Sequence, residues 1–112
     1  MSLRRREYLL EAKRKHVGYK VMRVESGRLV AGADSRQSFP LRKGSVIKMP
    51  GNGIYLSPNR QYVLDYYSGL ADDEVLLSLE FFDSDITFGN LTDREAEVAV
   101  KRVKIIGIKR LD

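Results

Sequence analysis

The segment from Gly51 to Ser57 combines the residue types that could hold a planar ligand. Its glycine-rich turn allows a ligand or another strand to approach the backbone closely. Tyr55 then offers an aromatic ring on which a planar group can stack. The alternative is a tight turn followed by a tyrosine that belongs to the core, and the spacing alone favours that alternative.

Two glutamates later in the chain, Glu95 and Glu97, could supply carboxylate chemistry. They share one face of any strand, because side chains alternate between faces with a period of two. The alternative, which the spacing favours, is that both face solvent. Glu80 lies among apolar residues and is another candidate carboxylate. If it is buried, it needs a partner such as Lys20 or Arg23.

Composition excludes several other classes of site. The chain has no cysteine, which excludes thiol catalysis and a disulfide scaffold and suits a cytoplasmic location. With a single histidine, His16, it offers no ligand set for structural zinc, so we expect no metal. We expect His16 to lie at the surface, at the end of a helix. The sequence has no nucleophilic triad and no glycine-rich phosphate loop of the required spacing.

Charge is distributed unevenly along the chain. Residues 61–100 contain ten acidic residues and one basic residue, whereas the net charge of the whole chain is +5, so both ends are strongly basic. One interpretation is a basic face that binds nucleic acid or another polyanion. The alternative, which we favour at this point, is that the basic ends lie beside the acidic centre. The candidate nucleic-acid-binding residues are Arg4, Arg5, Arg6, Lys13, Arg14, Lys15, Lys101, Arg102 and Lys104.

The length of 112 residues predicts one domain, residues 1–112, with a basic N-terminal helix over 1–16 and a core over 18–110. Alternation predicts a hairpin of strands 19–24 and 29–31, followed by a polar loop over 32–44. No apolar run is long enough to span a membrane. The weakly amphipathic N-terminal segment suggests that two chains could pair as a homodimer.

The middle of the chain carries clear signals for secondary structure. Short strands are predicted at 45–49 and 54–56, and the next helix has Ser57 as its N-cap, Pro58 at its first position and Gly69 at its end. A strand over 74–82 has apolar residues on both faces, which predicts a central position in the sheet.

A long strand is predicted over 97–108. Its alternation slips near Lys101 and Arg102, which predicts a bulge or a bend there. The predicted fold class is therefore α+β, with a bent, mostly antiparallel (split) β-sheet, an N-terminal helix and one central helix.

Two of these segments resemble ADP-ribosyltransferases. Residues 51–57, followed by a helix bearing Tyr66 and Tyr67, are similar to that family's glycine, tyrosine and helix segment. Residues 95–100 resemble its Glu-x-Glu strand, and the order of basic, aromatic and glutamate strands also agrees. The resemblance implies that Glu97 is catalytic and that Glu95 orients the acceptor.

The same resemblance implies NAD as the cofactor. Tyr55 would stack on nicotinamide, and Ser57 would match the polar residue that ends the aromatic strand. Lys20 or Arg23 would hold the phosphates or the ribose, because a cationic side chain favours anionic oxygen.

The chain also resembles small domains of bacteriophage and prophage genomes. These begin with a Gly-Tyr-Lys-Val strand, here residues 18–21, and carry a Gly-aromatic segment that leads into a Tyr-Tyr helix. This resemblance is the closer one and implies no particular activity. We therefore expect a binding module that contacts a protein or a polyanion through its basic ends. A minimal ADP-ribosyltransferase and a nucleic-acid-binding module are the alternatives.

Overall fold

The computed structural model describes residues 14–31, 37–49, 51, 53–89, 91 and 97–111. Of these, 59% lie in strands and 13% are helical. The strands are β1 (Lys15–Glu25), β2 (Arg28–Ala31), β3 (Gln37–Pro40), β4 (Val46–Lys48), β5 (Ile54–Leu56), β6 (Glu74–Phe82), β7 (Ile86–Phe88), β8 (Val98–Val100) and β9 (Arg102–Arg110). The α-helix, α1, spans Arg60–Tyr67, and a 3-10 turn spans Asp83–Asp85.

The strands form a nearly closed, barrel-like antiparallel sheet with the order β3-β2-β1-β6-β9-β4. A smaller sheet has the order β5-β8-β7. The links between the two sheets include a bend of the chain and a backbone bridge. The chain bends at Lys101 between β8 and β9, and Tyr19 and Ser57 exchange backbone hydrogen bonds of 2.7 and 3.1 Å. This Tyr19–Ser57 bridge brings β5 and α1 against β1.

The predicted α+β class is wrong, because the described residues are mostly β. Lys15 and His16 do not end a helix; they begin β1 and pair with Phe82 and Phe81 of β6. The remainder of the predicted N-terminal helix, residues 1–13, lies outside the described residues, as does any pairing of two chains through it. The predicted loop over 32–44 also contains a strand, β3.

Strand β6 has the predicted bounds and the predicted central position, between β1 and β9. The bend predicted near Lys101 is confirmed as well, but it divides the predicted strand over 97–108 into β8 and β9, which lie in different sheets. The main core lies on the inward face of the six-stranded sheet. It includes Leu77, Leu79 and Phe81 of β6, which are all fully buried. Large apolar side chains of this kind provide most of the stability of such a domain.

The inward face of β1 positions the candidate site. The register pairs His16 with Phe81, Gly18 with Leu79 and Lys20 with Leu77, so these β1 residues share the face that looks into the core. A lysine on such a face is unusual, because lysine is almost never buried unless it is paired. No α-helix among the described residues is long and apolar enough to cross a membrane.

Candidate functional site

Four of the predicted site residues line one small cavity between β1, β5 and α1. They are Lys20, Tyr55, Ser57 and Glu97, and the cavity has a volume of about 40 Å³. The remaining lining residues are Tyr19, Val21, Leu56, Val63 and Tyr67. A groove of about 480 Å³ borders the cavity and shares Lys20, Val21 and Tyr67 with it. The fold thus brings together residues that are up to 77 positions apart in the sequence.

Lys20 supplies the amine of this cavity. Its Nζ donates a hydrogen bond of 2.9 Å to the backbone oxygen of Tyr55. Burial lowers the pKa of Lys20 below its ordinary value of 10.5, because desolvation penalises the charged form, and the nearby carboxylate of Glu97 partly offsets that effect. No ion pair joins Lys20 to Glu97 within the described residues.

Glu97 supplies the carboxylate, and it is held in place by the helix. The hydroxyl of Tyr67, the last residue of α1, donates a hydrogen bond to Glu97 Oε1. Tyr67 is not among the site residues predicted from the sequence. The helical spacing of the tyrosines could place Tyr67 on α1, but it could not show that its hydroxyl meets a glutamate thirty residues later.

Tyr55 and Ser57 occupy the β5 side of the cavity. The Tyr55 side chain points away from buried Ile54 and Leu56 and is 39% exposed. Ser57 is fully buried, and its Oγ accepts the backbone N–H of Asn59 at 3.1 Å. The predicted N-cap is therefore wrong: Asn59 caps α1 by accepting the N–H of Tyr62 at 3.2 Å.

Of the other two residues predicted for this site, Arg23 lines the bordering groove. Arg23 does not line the cavity, and its Nε donates to Glu25 Oε2 at 3.0 Å. Glu95 lies outside the described residues.

A cavity of about 40 Å³ has room for only a few water molecules. Pockets for ligands of nicotinamide size begin at roughly 300 Å³.

A second candidate surface lies on the outward face of the six-stranded sheet. Lys15 pairs with Phe82, Lys48 pairs with Arg102, and the guanidinium of Arg102 lies 5.8 Å from the centre of the Phe82 ring. These four residues, which we call the basic row, come from β1, β6, β9 and β4. In the adjacent row, Lys104 lies between Glu80 and Val46.

The basic row is not neutralised by the acidic middle of the sequence. Within the described part of the chain, no ion pair involves Lys15, Lys48, Arg102 or Lys104. The ion pairs there join His16 to Asp83 and Arg23 to Glu25. The strand register nevertheless places Lys104 opposite Glu80 and Lys15 opposite Phe82, the residue before Asp83, so the basic ends do lie beside the acidic centre here without forming ion pairs.

The remaining residues predicted to bind nucleic acid fall into those that the structure describes and those that it does not. Arg14 and Lys101 lie near one end of the row, where the Arg14 carbonyl accepts the N–H of Asp83 at 3.1 Å and the Lys101 N–H donates to Asp85 at 2.9 Å. Arg4, Arg5, Arg6 and Lys13 lie outside the described residues.

His16 is not at a helix end, as predicted. It lies in β1, where its Nε2 forms a hydrogen bond with Asp83 Oδ1 and its ring packs 5.6 Å from Phe81. The described ranges contain no cluster of three or more side chains that could hold a metal ion. The His16–Asp83 contact therefore joins β1 to the turn after β6.

Within the part of the chain that the structure describes, the Lys20 cavity and the basic row are the two candidate sites. In comparisons with known proteins, no family model, no curated protein and no solved structure matches this chain.

Proposed function

We propose that the chain is a binding module that holds a single-stranded nucleic acid across the basic row. The observation that carries this proposal is the convergence of three bases and an aromatic ring from four strands on one open face. Neighbouring strands are about 4.8 Å apart, so the row extends over roughly 14 Å. Such a surface can contact more than one phosphate of a single strand. The cytoplasmic location stays a prediction.

The ring in the row favours a single strand over a duplex. Exposed bases stack on aromatic side chains and on guanidinium planes, whereas the bases of a duplex are stacked on one another. Phe82 is half-buried and has Arg102 beside it, so both planar groups lie among the cations that would hold the backbone. Stacking of this kind tolerates any base, and we therefore expect weak sequence preference.

Binding of labelled oligothymidylate is expected to weaken steeply with salt. Three cations of the basic row and Lys104 beside it would neutralise about four phosphates. At about 0.7 per phosphate of a single strand, the logarithm of the association constant should fall with a slope of about −3 against the logarithm of salt concentration. Binding titrations followed by fluorescence anisotropy, at salt concentrations from about 50 to about 300 mM, measure that slope. Absent or salt-independent binding contradicts the proposal.

A matched pair of variants separates the row from general charge. Arg102→Gln should reduce the slope by about 0.7 and weaken binding. Arg28→Gln removes the same charge from β2. Arg28 lies opposite Glu25, which is at the far end of β1 and roughly 30 Å from Lys15. Arg28→Gln should leave the slope unchanged. Equal effects of the two variants would show that net charge, and not the row, attracts the strand.

NAD-dependent ADP-ribose transfer is a second candidate function. It is supported by one observation, the shared cavity of Lys20, Tyr55, Ser57 and Glu97, which are residues that the family resemblance implies. The cavity is too small for a nicotinamide ring, so the ring could enter only if the side of the cavity that borders the groove widened. Because a ligand stabilises the state that it binds, millimolar NAD should raise the melting temperature.

The control for that experiment is the variant Glu97→Gln, which should keep the fold and lose turnover of NAD. Differential scanning fluorimetry measures the melting temperature, and release of nicotinamide measures turnover. An unchanged melting temperature together with no nicotinamide release would remove the enzymatic candidate and leave the nucleic-acid proposal unaffected.

A further inference from the structure

We propose that Lys20 is a reactive amine that condenses with a small aldehyde in the cavity beside Glu97. This inference concerns the inward face of β1 and is independent of the basic row on the outward face. It rests on the position of the amine, on the carboxylate that shares its cavity and on the size of that cavity.

Lys20 is a half-buried lysine beside apolar neighbours. Its neighbours on the inward face are Gly18 and Met22, and its partner across the ladder is fully buried Leu77. Removing part of an ammonium group from water costs free energy. The hydrogen bond from Lys20 to the Tyr55 carbonyl offsets part of that cost, uses one N–H and leaves the rest of the amine for a ligand.

The desolvation that lowers the pKa of Lys20 increases the neutral fraction of the amine near pH 7. A neutral amine can attack a carbonyl carbon, whereas an ammonium group has no lone pair. Lysines desolvated in apolar pockets are nucleophiles of this kind. The groove that borders the cavity and shares Lys20 with it gives a small carbonyl compound a route to the amine.

Glu97 can move the proton that the condensation requires. The Nζ lone pair forms a C–N bond as the carbonyl π bond breaks, and Glu97 carries one nitrogen proton to the carbonyl oxygen, which becomes a hydroxyl group. Glu97 then carries the second nitrogen proton to this hydroxyl, the C–O bond breaks, and water leaves as the C=N bond of the imine forms. Tyr67 holds the carboxylate by its hydrogen bond to Oε1. The products are one imine and one water, and no oxidant or reductant takes part.

The experiment labels the native full chain with acetaldehyde at pH 7 and traps the imine with cyanoborohydride. Peptide mass spectrometry then gives the labelling rate of each lysine. We expect Lys20 to react at least about tenfold faster than exposed Lys48. In 8 M urea the two rates should become equal, because the cavity is lost. A Lys20 rate equal to or below that of Lys48 in the native chain overturns the proposal.

The variant Glu97→Gln tests the proton transfer, because two explanations predict opposite results. If Glu97 acts only through its charge, its removal makes more of the amine neutral and Lys20 is labelled faster. If Glu97 transfers the proton, labelling of Lys20 slows by at least about fivefold while the rate of Lys48 is unchanged. A faster or unchanged Lys20 rate overturns the role of Glu97. Neither result depends on nucleic-acid binding or on NAD.

Discussion

Gly53→Ala is expected to lower the free energy of unfolding by about 2 to 5 kcal/mol, which is enough to unfold a marginal domain. Gly53 has a φ of +82°, a conformation that penalises any side chain. A Cβ there would lie 2.2 Å from the carbonyl oxygen of Val100 in β8, and backbone cannot move aside as a side chain can. Urea denaturation followed by circular dichroism measures the change.

Gly27→Ala is the matched control for that variant. Gly27 has a similar φ, +76°, but nothing lies within 4 Å of the position of its Cβ. Only the cost of the left-handed backbone remains, about 1 to 2 kcal/mol. Equal losses in the two variants would show that the approach of β8 to Gly53 contributes nothing to the constraint.

Phe81→Ala is expected to lower the free energy of unfolding by about 3 to 5 kcal/mol. Phe81 is fully buried in central strand β6, and its ring lies 3.2 Å from the position that a Cβ of Gly18 would occupy. Removing the ring leaves a void between β1 and β6 that these paired strands cannot close. Thermal and urea denaturation both measure the loss.

Phe88→Ala provides the comparison for the Phe81 variant. Phe88 ends β7 and is 68% exposed, so its truncation should change the free energy of unfolding by no more than about 0.5 kcal/mol. Comparable losses at Phe81 and Phe88 would contradict the assignment of the core to the inward face of β6.

Local signals in the sequence were sufficient where the nearest neighbours along the chain determine the structure. The bounds of β5 and β6 follow from alternation between glycine, proline and aspartate boundaries. The bend at Lys101 follows from the slip in the alternation of Val100 and Val103. These features need no knowledge of distant contacts, and the structure confirms them.

Errors arose where a distant partner determines the structure. Lys15 and His16 continue a basic segment whose pattern predicts a helix. They lie in β1 instead, because they pair with Phe82 and Phe81 of β6. Strand β3 carries one buried apolar residue, Phe39, which is too weak a pattern to distinguish from a loop. Ser57 has the residue type of an N-cap, but its backbone pairs with Tyr19, and the helix begins two residues later than that cap implies.

The same distinction between local and distant determinants explains how much of the Lys20 cavity and of the basic row could be predicted from the sequence. The family resemblance implied Lys20, Tyr55, Ser57 and Glu97 together, and they share a cavity whose small volume no sequence motif reveals. The basic row was only partly visible. Lys15 and Arg102 were candidates because of their charge, whereas Phe82 and Lys48 join them only through strand register.

The two outermost strands of the large sheet bear on the tendency of the chain to aggregate. Both β3 and β4 are short, with four and three residues. Pro40 in β3 has no N–H to offer a further strand, and Lys48 in β4 would bring a charge against any newcomer. These two edges of the large sheet are therefore poorly suited to pair with a strand of another molecule.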